Sequence, residues 1–113
     1  MQEEIFGPVV AVTTFNNIKE AIWMLNNTGY GLSSALYTND VNLAFTFLNE
    51  AETGMVYVNA STIGAEIQLP FGGIKGTGNG HRDAGSSMID NCTENKSCMV
   101  DYSGKVQKAQ IDH

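Results

Sequence analysis

The alternation of strand and helix signals over residues 9–59 constrains this chain more than any other feature. Residues 9–15 (VVAVTTF) follow the turn-prone pair Gly7-Pro8 and are short and β-branched, as expected of a strand covered on both faces. Ile18, Ala21, Ile22 and Leu25 then recur at helical spacing. Asn17 precedes them as a cap, and Glu20 stands where a capping box needs its acid. Residues 26–31 (NNTGYG) break that helix. Residues 32–38 (LSSALYT) predict a second strand, and Asp40 caps a second helix carrying Val41, Ala44, Phe45 and Leu48 on one face. Gly54 suits a left-handed helix exit, and residues 55–59 (MVYVN) predict a third strand. This order predicts an α/β fold: a mostly parallel sheet with right-handed crossovers and flanking helices.

In such sheets ligands sit outside the carboxyl ends of the strands, so the segment after the third strand falls where chemistry is expected. Residues 60–85 show neither period, and so long an irregular loop in a small domain points to binding. Glycine recurs there at 64, 72, 73, 76, 78, 80 and 85. A phosphate-cradling loop would need Gly-Lys-Ser/Thr, but Ile74 precedes Lys75 and Gly76 follows it. The even spacing of Gly76, Gly78 and Gly80 does not fit a dinucleotide fingerprint either. A short helix is expected over residues 86–92, and residues 97–102 (SCMVDY), from Ser97 to Tyr102, predict a terminal strand.

The length is that of one ordinary domain, enough to bury a real core. A net charge of −6 with no basic run argues against nucleic acid and against anionic membrane surfaces as partners. No apolar run spans a bilayer, and the start MQEEIFGP is acidic, which makes a soluble, cytoplasmic protein the expectation. Cys92 and Cys98 lack the spacing of a zinc or redox site, so no metal is expected and both thiols are read as reduced. Four Asn-Xaa-Ser/Thr triplets are discounted because no secretion signal accompanies them.

Four stretches taken together carry a family resemblance: EEIFGPV (3–9), YGLSSALYT (30–38), GMVYVN (54–59) and PFGGIKGTG (70–78). In order and spacing the chain resembles the carboxyl-terminal part of the aldehyde dehydrogenase superfamily, over nearly its whole length. GAEIQLPFGG (64–73) and KSCMVDYSGKVQKAQI (96–111) look like the antiquitin branch, which is similar to α-aminoadipic semialdehyde dehydrogenases. The resemblance implies oxidation of an aldehyde or semialdehyde to a carboxylate with NAD or NADP, through a cysteine thiolate. In the family that nucleophile, the nucleotide-binding domain and the glutamate that activates water all lie upstream of the Glu-Ile-Phe-Gly-Pro motif. The expectation is therefore a fragment without catalytic residues of its own, inactive alone.

The same resemblance assigns roles residue by residue. Glu4 matches the glutamate that accepts hydrogen bonds from the nicotinamide ribose, for which a carboxylate offers two acceptor oxygens to two vicinal hydroxyls. Phe6 matches the aromatic beside that ribose. Taken alone, Glu4 reads as a solvated acid and Phe6 as packing. Phe71 matches an aromatic wall of the substrate tunnel, while Gly64 and Ala65 fall where similar enzymes hold the far end of the aldehyde through backbone amides. Glu66 reads equally as a loop-setting residue, a partner for a substrate ammonium or a surface acid. Residues 97–102 match the family's terminal strand, which extends a neighbouring subunit's sheet, so the expected partner is a homo-oligomer or a complementing amino-terminal polypeptide. The division expected is residues 1–95 as part of a catalytic domain and 96–113 as oligomerisation strand and tail. The alternative function is a non-catalytic assembly module.

Other residues read more plainly. Asn59 is expected to pin the loop after the third strand through its side-chain amide. Lys75, His81 and Arg82 have no paired acid or metal-ligand spacing nearby in sequence, and structural salt bridges are their expected role. Cys92 and Cys98 are expected to be small buried hydrophobes rather than substitute nucleophiles.

Overall fold

A computed structural model describes residues 3–105. Helix α1 (Ile18–Asn26) begins where the cap predicts: Asn17 is extended and its Oδ1 accepts the Glu20 amide at 3.0 Å. Glu20 does not return the favour to Asn17, as a capping box would require. Its Oε2 instead accepts the amide of Asn16 at 2.8 Å and the Asn16 side chain at 2.9 Å, one residue earlier. These two bonds hold the Glu20 carboxyl below the usual glutamate range.

Strands β1 (Tyr30–Gly31) and β2 (Ser33–Leu36) follow, then helix α2 (Val41–Glu50) and strand β3 (Met55–Val58). Asp40 caps α2 by accepting the amides of Asn42 and Leu43. The crossover through α2 makes β2 and β3 a parallel pair, in register Ser33 to Met55 and Leu36 to Val58. Strand β4 (Ile74–Lys75) pairs antiparallel with β1, and helix α3 (Ser87–Cys92) follows. Thus the observed sheets are one parallel and one antiparallel pair of strands. Among the described residues no helix is long and apolar enough to cross a membrane.

Three expected elements are corrected. Residues 9–15 form no strand: a strand exists only through its ladder, and the backbone bond here is the local one from Val9 N to Gly7 O. Residues 97–102 form none either, for the same reason. Residues 106–113, with the end of the second branch motif and of the tail, lie outside the described residues. Gly54 does not supply a left-handed helix exit, since α2 ends on an extended Ala51.

The expected core is also smaller than the length implied. Ile22 and Phe47 are the buried apolar residues among those described, one on each helix, with Ser34 of β2 buried beside them. The Ser34 hydroxyl is satisfied by Thr53 Oγ1 at 2.7 Å, which itself donates to the Met55 carbonyl. Ile5, Phe6, Val9, Val10 and Val12 at one end, and Met99, Val100 and Tyr102 at the other, are exposed. The radius of gyration is 22.0 Å, against about 13 Å for a compact domain of this length. Both arms therefore project from a small α/β centre without apolar cover. Cys92 and Cys98, expected to be buried, are exposed: α3 buries none of its residues, and Cys98 lies in a segment that forms no strand.

Candidate functional site

The segment read from sequence as irregular is built, rung by rung, from backbone pairs. Phe71 and Asp83 form an antiparallel bridge, and Gly85 N donates to Ile67 O at 2.9 Å, so residues 67–85 close on themselves. The turn at 74–78 then docks on β1. Gly76 N donates to Gly29 O at 2.8 Å, and Gly31 N donates to Thr77 Oγ1 at 2.8 Å. Thr77 is a fastening residue that nothing local in the sequence distinguishes, because its partner lies 46 positions away.

Glycine serves this loop mainly by close approach. A β-carbon on Gly54 would stand 1.8 Å from the Gly72 carbonyl oxygen, and one on Gly78 would stand 2.0 Å from that of Gly73. The loop thus lies backbone to backbone against the start of β3.

Lys75 behaves as the plain reading expected. Its Nζ lies 2.6 Å from Glu52 Oε2 and donates to the Asn26 carbonyl at 2.7 Å. The Asn26 side chain in turn holds Glu50 O and Glu52 N, each at 2.8 Å, so the ends of α1 and α2 and strand β4 meet at one knot. Because Glu52 is 55% exposed, its ion pair contributes little beyond the hydrogen bonds. Lys75→Met is expected to cost about 1–2 kcal/mol in urea unfolding, with a Lys75–Glu52 coupling below about 1 kcal/mol in a double-mutant cycle.

His81 and Arg82 do not form the expected salt bridges. His81 Nδ1 pairs with Asn91 Oδ1 at 2.9 Å, Asn91 Nδ2 donates to the Arg82 carbonyl at 2.7 Å, and Arg82 Nη1 donates to the His81 carbonyl at 3.0 Å. Amides and carbonyls satisfy them, and α3 is tied to the loop by Asn91.

Contrary to expectation, Asn59 does not pin the loop that follows it but reaches back to the end of β2. Its Oδ1 accepts the Thr38 amide and its Nδ2 donates to the Thr38 carbonyl, both at 2.8 Å, while its backbone turns left-handed at φ 55°. A side chain thereby adds a rung to the β2–β3 ladder at the carboxyl ends of both strands.

The five residues assigned to binding fall on three separate openings. Glu4 and Phe6 line a shallow groove with Ile5, Gly7 and Val9, where Phe6 is 93% exposed at φ 51°. Ala65 lines a cleft of about 290 Å³ with Met55, Tyr57, Leu69 and Pro70, and Gly64 borders it through its carbonyl, which accepts from Tyr57 Oη at 3.3 Å. Phe71 lines a cavity of about 510 Å³ with Leu32, Thr77, Asn79, His81 and Asp83. Tyr57 was not singled out from sequence; its place on the same face of β3 as Met55 is the signal that could have found it. Glu66 lies beside Ala65 and accepts from Gln68 Nε2 at 3.2 Å. No group of three or more metal-ligating side chains occurs among the described residues.

The family model for the aldehyde dehydrogenase family matches residues 1–98. The chain belongs to the aldehyde dehydrogenase family. It is 43% identical over 103 residues to aldehyde dehydrogenase (NAD(P)+) 2 of Saccharomyces cerevisiae, covering 91% of this chain and 20% of the relative. It is 37% identical over 99 residues to the α-ketoglutaric semialdehyde dehydrogenase of Bacillus subtilis, covering 88% and 20%. The crystal structure of aldehyde dehydrogenase 21 from Physcomitrella patens, in complex with the reaction product succinate, superposes with a TM-score of 0.81 at 36% identity, over 93% of this chain and 22% of that one. This aldehyde dehydrogenase chain spans about a fifth of the length of the relatives it matches.

Proposed function

We propose that these 113 residues are the carboxyl-terminal part of the catalytic domain of an NAD(P)-dependent aldehyde dehydrogenase that oxidises an aldehyde or semialdehyde to a carboxylate, inactive on its own. The observation that carries this reading is the family match over residues 1–98 in a chain about a fifth as long as its relatives. The apolar arms agree with it. Exposed apolar surface of this extent is normally covered by something else, here by the remainder of the enzyme along residues 5–12 and by a neighbouring subunit along residues 97–102. On this reading residues 1–95 belong to the catalytic domain and 96–113 to the oligomerisation strand and tail, in a cytoplasmic homo-oligomer of the antiquitin branch.

The residues at the first groove fit a nicotinamide cofactor. Glu4 is exposed, makes no hydrogen bond to the described residues, and offers two free acceptor oxygens to the two ribose hydroxyls. Phe6 offers an open ring face on the same groove. Bound NAD or NADP would supply the hydride acceptor. Gly64 and Ala65 hold the far end of the substrate, and Phe71 walls its path. A semialdehyde with a carboxylate at that far end suits these backbone groups, in keeping with a relative named for a semialdehyde and another holding succinate.

The test is an assay of the purified chain with NAD, NADP and short semialdehydes, alone and co-expressed with a relative's amino-terminal part bearing the cysteine and nucleotide-binding domain. No turnover alone and oxidation on co-expression are expected. Turnover by the chain alone that Cys92→Ser or Cys98→Ser abolishes would overturn the reading. The exposure of Met99 (83%) and Tyr102 (93%) favours one second reading, a non-catalytic assembly module. Stable association without restored oxidation would select it.

A further inference from the structure

Residues 79–80 are the one Asn-Gly pair in the sequence. They stand at the exposed tip of the loop that borders the Phe71 cavity. We propose that Asn79 is a self-modifying site: it cyclises with the backbone nitrogen of Gly80 and converts to aspartate and isoaspartate without an enzyme. The inference does not rest on the proposed function.

Four features of the loop favour the reaction. Gly80 carries no β-carbon to shield its nitrogen, and the space where one would stand is open to 4 Å. Its N–H donates to no group among the described residues, so the nucleophile is not held in a ladder or a helix. The Asn79 Nδ2, which must leave, is likewise unbound among them. Most tellingly, the His81 amide donates to Asn79 Oδ1 at 3.0 Å. Negative charge develops on that oxygen as the nitrogen attacks, and a fixed N–H at hydrogen-bond distance stabilises it as the donors of an oxyanion hole do. Asn26 and Asn59 present the contrast, since each has both its amide oxygen and its amide nitrogen engaged, and each is followed by a residue with a side chain.

The chemistry balances without an oxidant. The bond from Gly80 N to Asn79 Cγ forms, the Cγ–Nδ2 bond breaks, and the proton lost by the Gly80 amide leaves with the departing group as ammonia. Water then opens the five-membered imide at either carbonyl. Opening at one restores the normal backbone with an aspartate; opening at the other routes the backbone through the side-chain carbon. Both products add a negative charge, beyond the chain's −6, at the rim of the cavity lined by Phe71, His81 and Asp83.

The experiment is peptide mapping by mass spectrometry of the 113-residue chain aged at neutral and mildly alkaline pH, beside the free peptide TGNGHRD under the same conditions. Aspartate and isoaspartate are expected at position 79 before any other asparagine, faster at the higher pH, and at least as fast in the native chain as in the peptide. Gly80→Ala is expected to suppress both products. An Asn79 that stays intact in the native chain while the peptide reacts would overturn the proposal, as would an unchanged rate in Gly80→Ala.

Discussion

Gly54→Ala is expected to remove about 3 kcal/mol or more of stability, the upper end of what overpacking costs, and in so small a fold to abolish cooperative unfolding. The new β-carbon would meet the Gly72 oxygen at 1.8 Å, the Gly72 carbonyl carbon at 2.8 Å and Gly73 Cα at 2.9 Å. All three atoms are backbone, so no rotamer change can relieve the contact. Relief requires the loop to lift from the start of β3. The control is Gly29→Ala, where nothing lies within 4 Å and φ is not left-handed; it is expected to change stability by less than about 0.5 kcal/mol. Urea unfolding followed by circular dichroism reads both. Equal stability of the two variants would show that the loop does not rest on β3 as described.

Asn59→Ala carries the second largest effect, about 2 kcal/mol. It deletes the two exposed hydrogen bonds to Thr38 and leaves a β-carbon with no compensating polar group at φ 55°. Asn59→Gly separates the two causes, because glycine tolerates that φ but cannot bridge to Thr38. Its expected cost is about 1 kcal/mol, so the order of stability is asparagine, then glycine, then alanine. Alanine equal to or better than glycine in urea unfolding would mean that the left-handed backbone contributes nothing. The effect bears on function as well, since Asn59 closes the carboxyl ends of β2 and β3 where the segment with Gly64 and Ala65 begins.

The helices were legible because their information is local. Asn17 and Asp40 cap amides two or three residues ahead, and the α1 stripe that puts Ile22 inward repeats within a few turns. On α2, by contrast, the expected stripe is not the buried one: Val41, Phe45 and Leu48 are exposed and Phe47 is buried. Even so, the partner of Glu20 was displaced to Asn16, because a side chain of that length reaches more than one amide at a helix entrance. Residues 9–15 have the composition of a strand and residues 97–102 the alternation of one, yet neither is one here, for composition supplies only one side of a ladder. At the candidate site, Lys75 was recognised as a structural cation and Asn59 as a backbone-binding amide, though the backbone it binds is that of Thr38 and not of its own loop. Thr38 and Glu52 were not foreseeable as their partners, being 21 and 23 positions away.

By itself the sequence determined the strand–helix–strand unit around α2, the two capped helices and the motifs that mark an aldehyde dehydrogenase. Each of these depends on a residue's type and on neighbours within a turn or two of the chain. Tertiary structure alone decided that Gly54 and Gly72 touch, that Thr77 fastens the loop to β1, and that the assigned binding residues divide among three openings. Contacts of that kind belong to pairs of backbones brought together from distant positions. They are fixed by how closely two chains can approach, and no residue read singly records that distance.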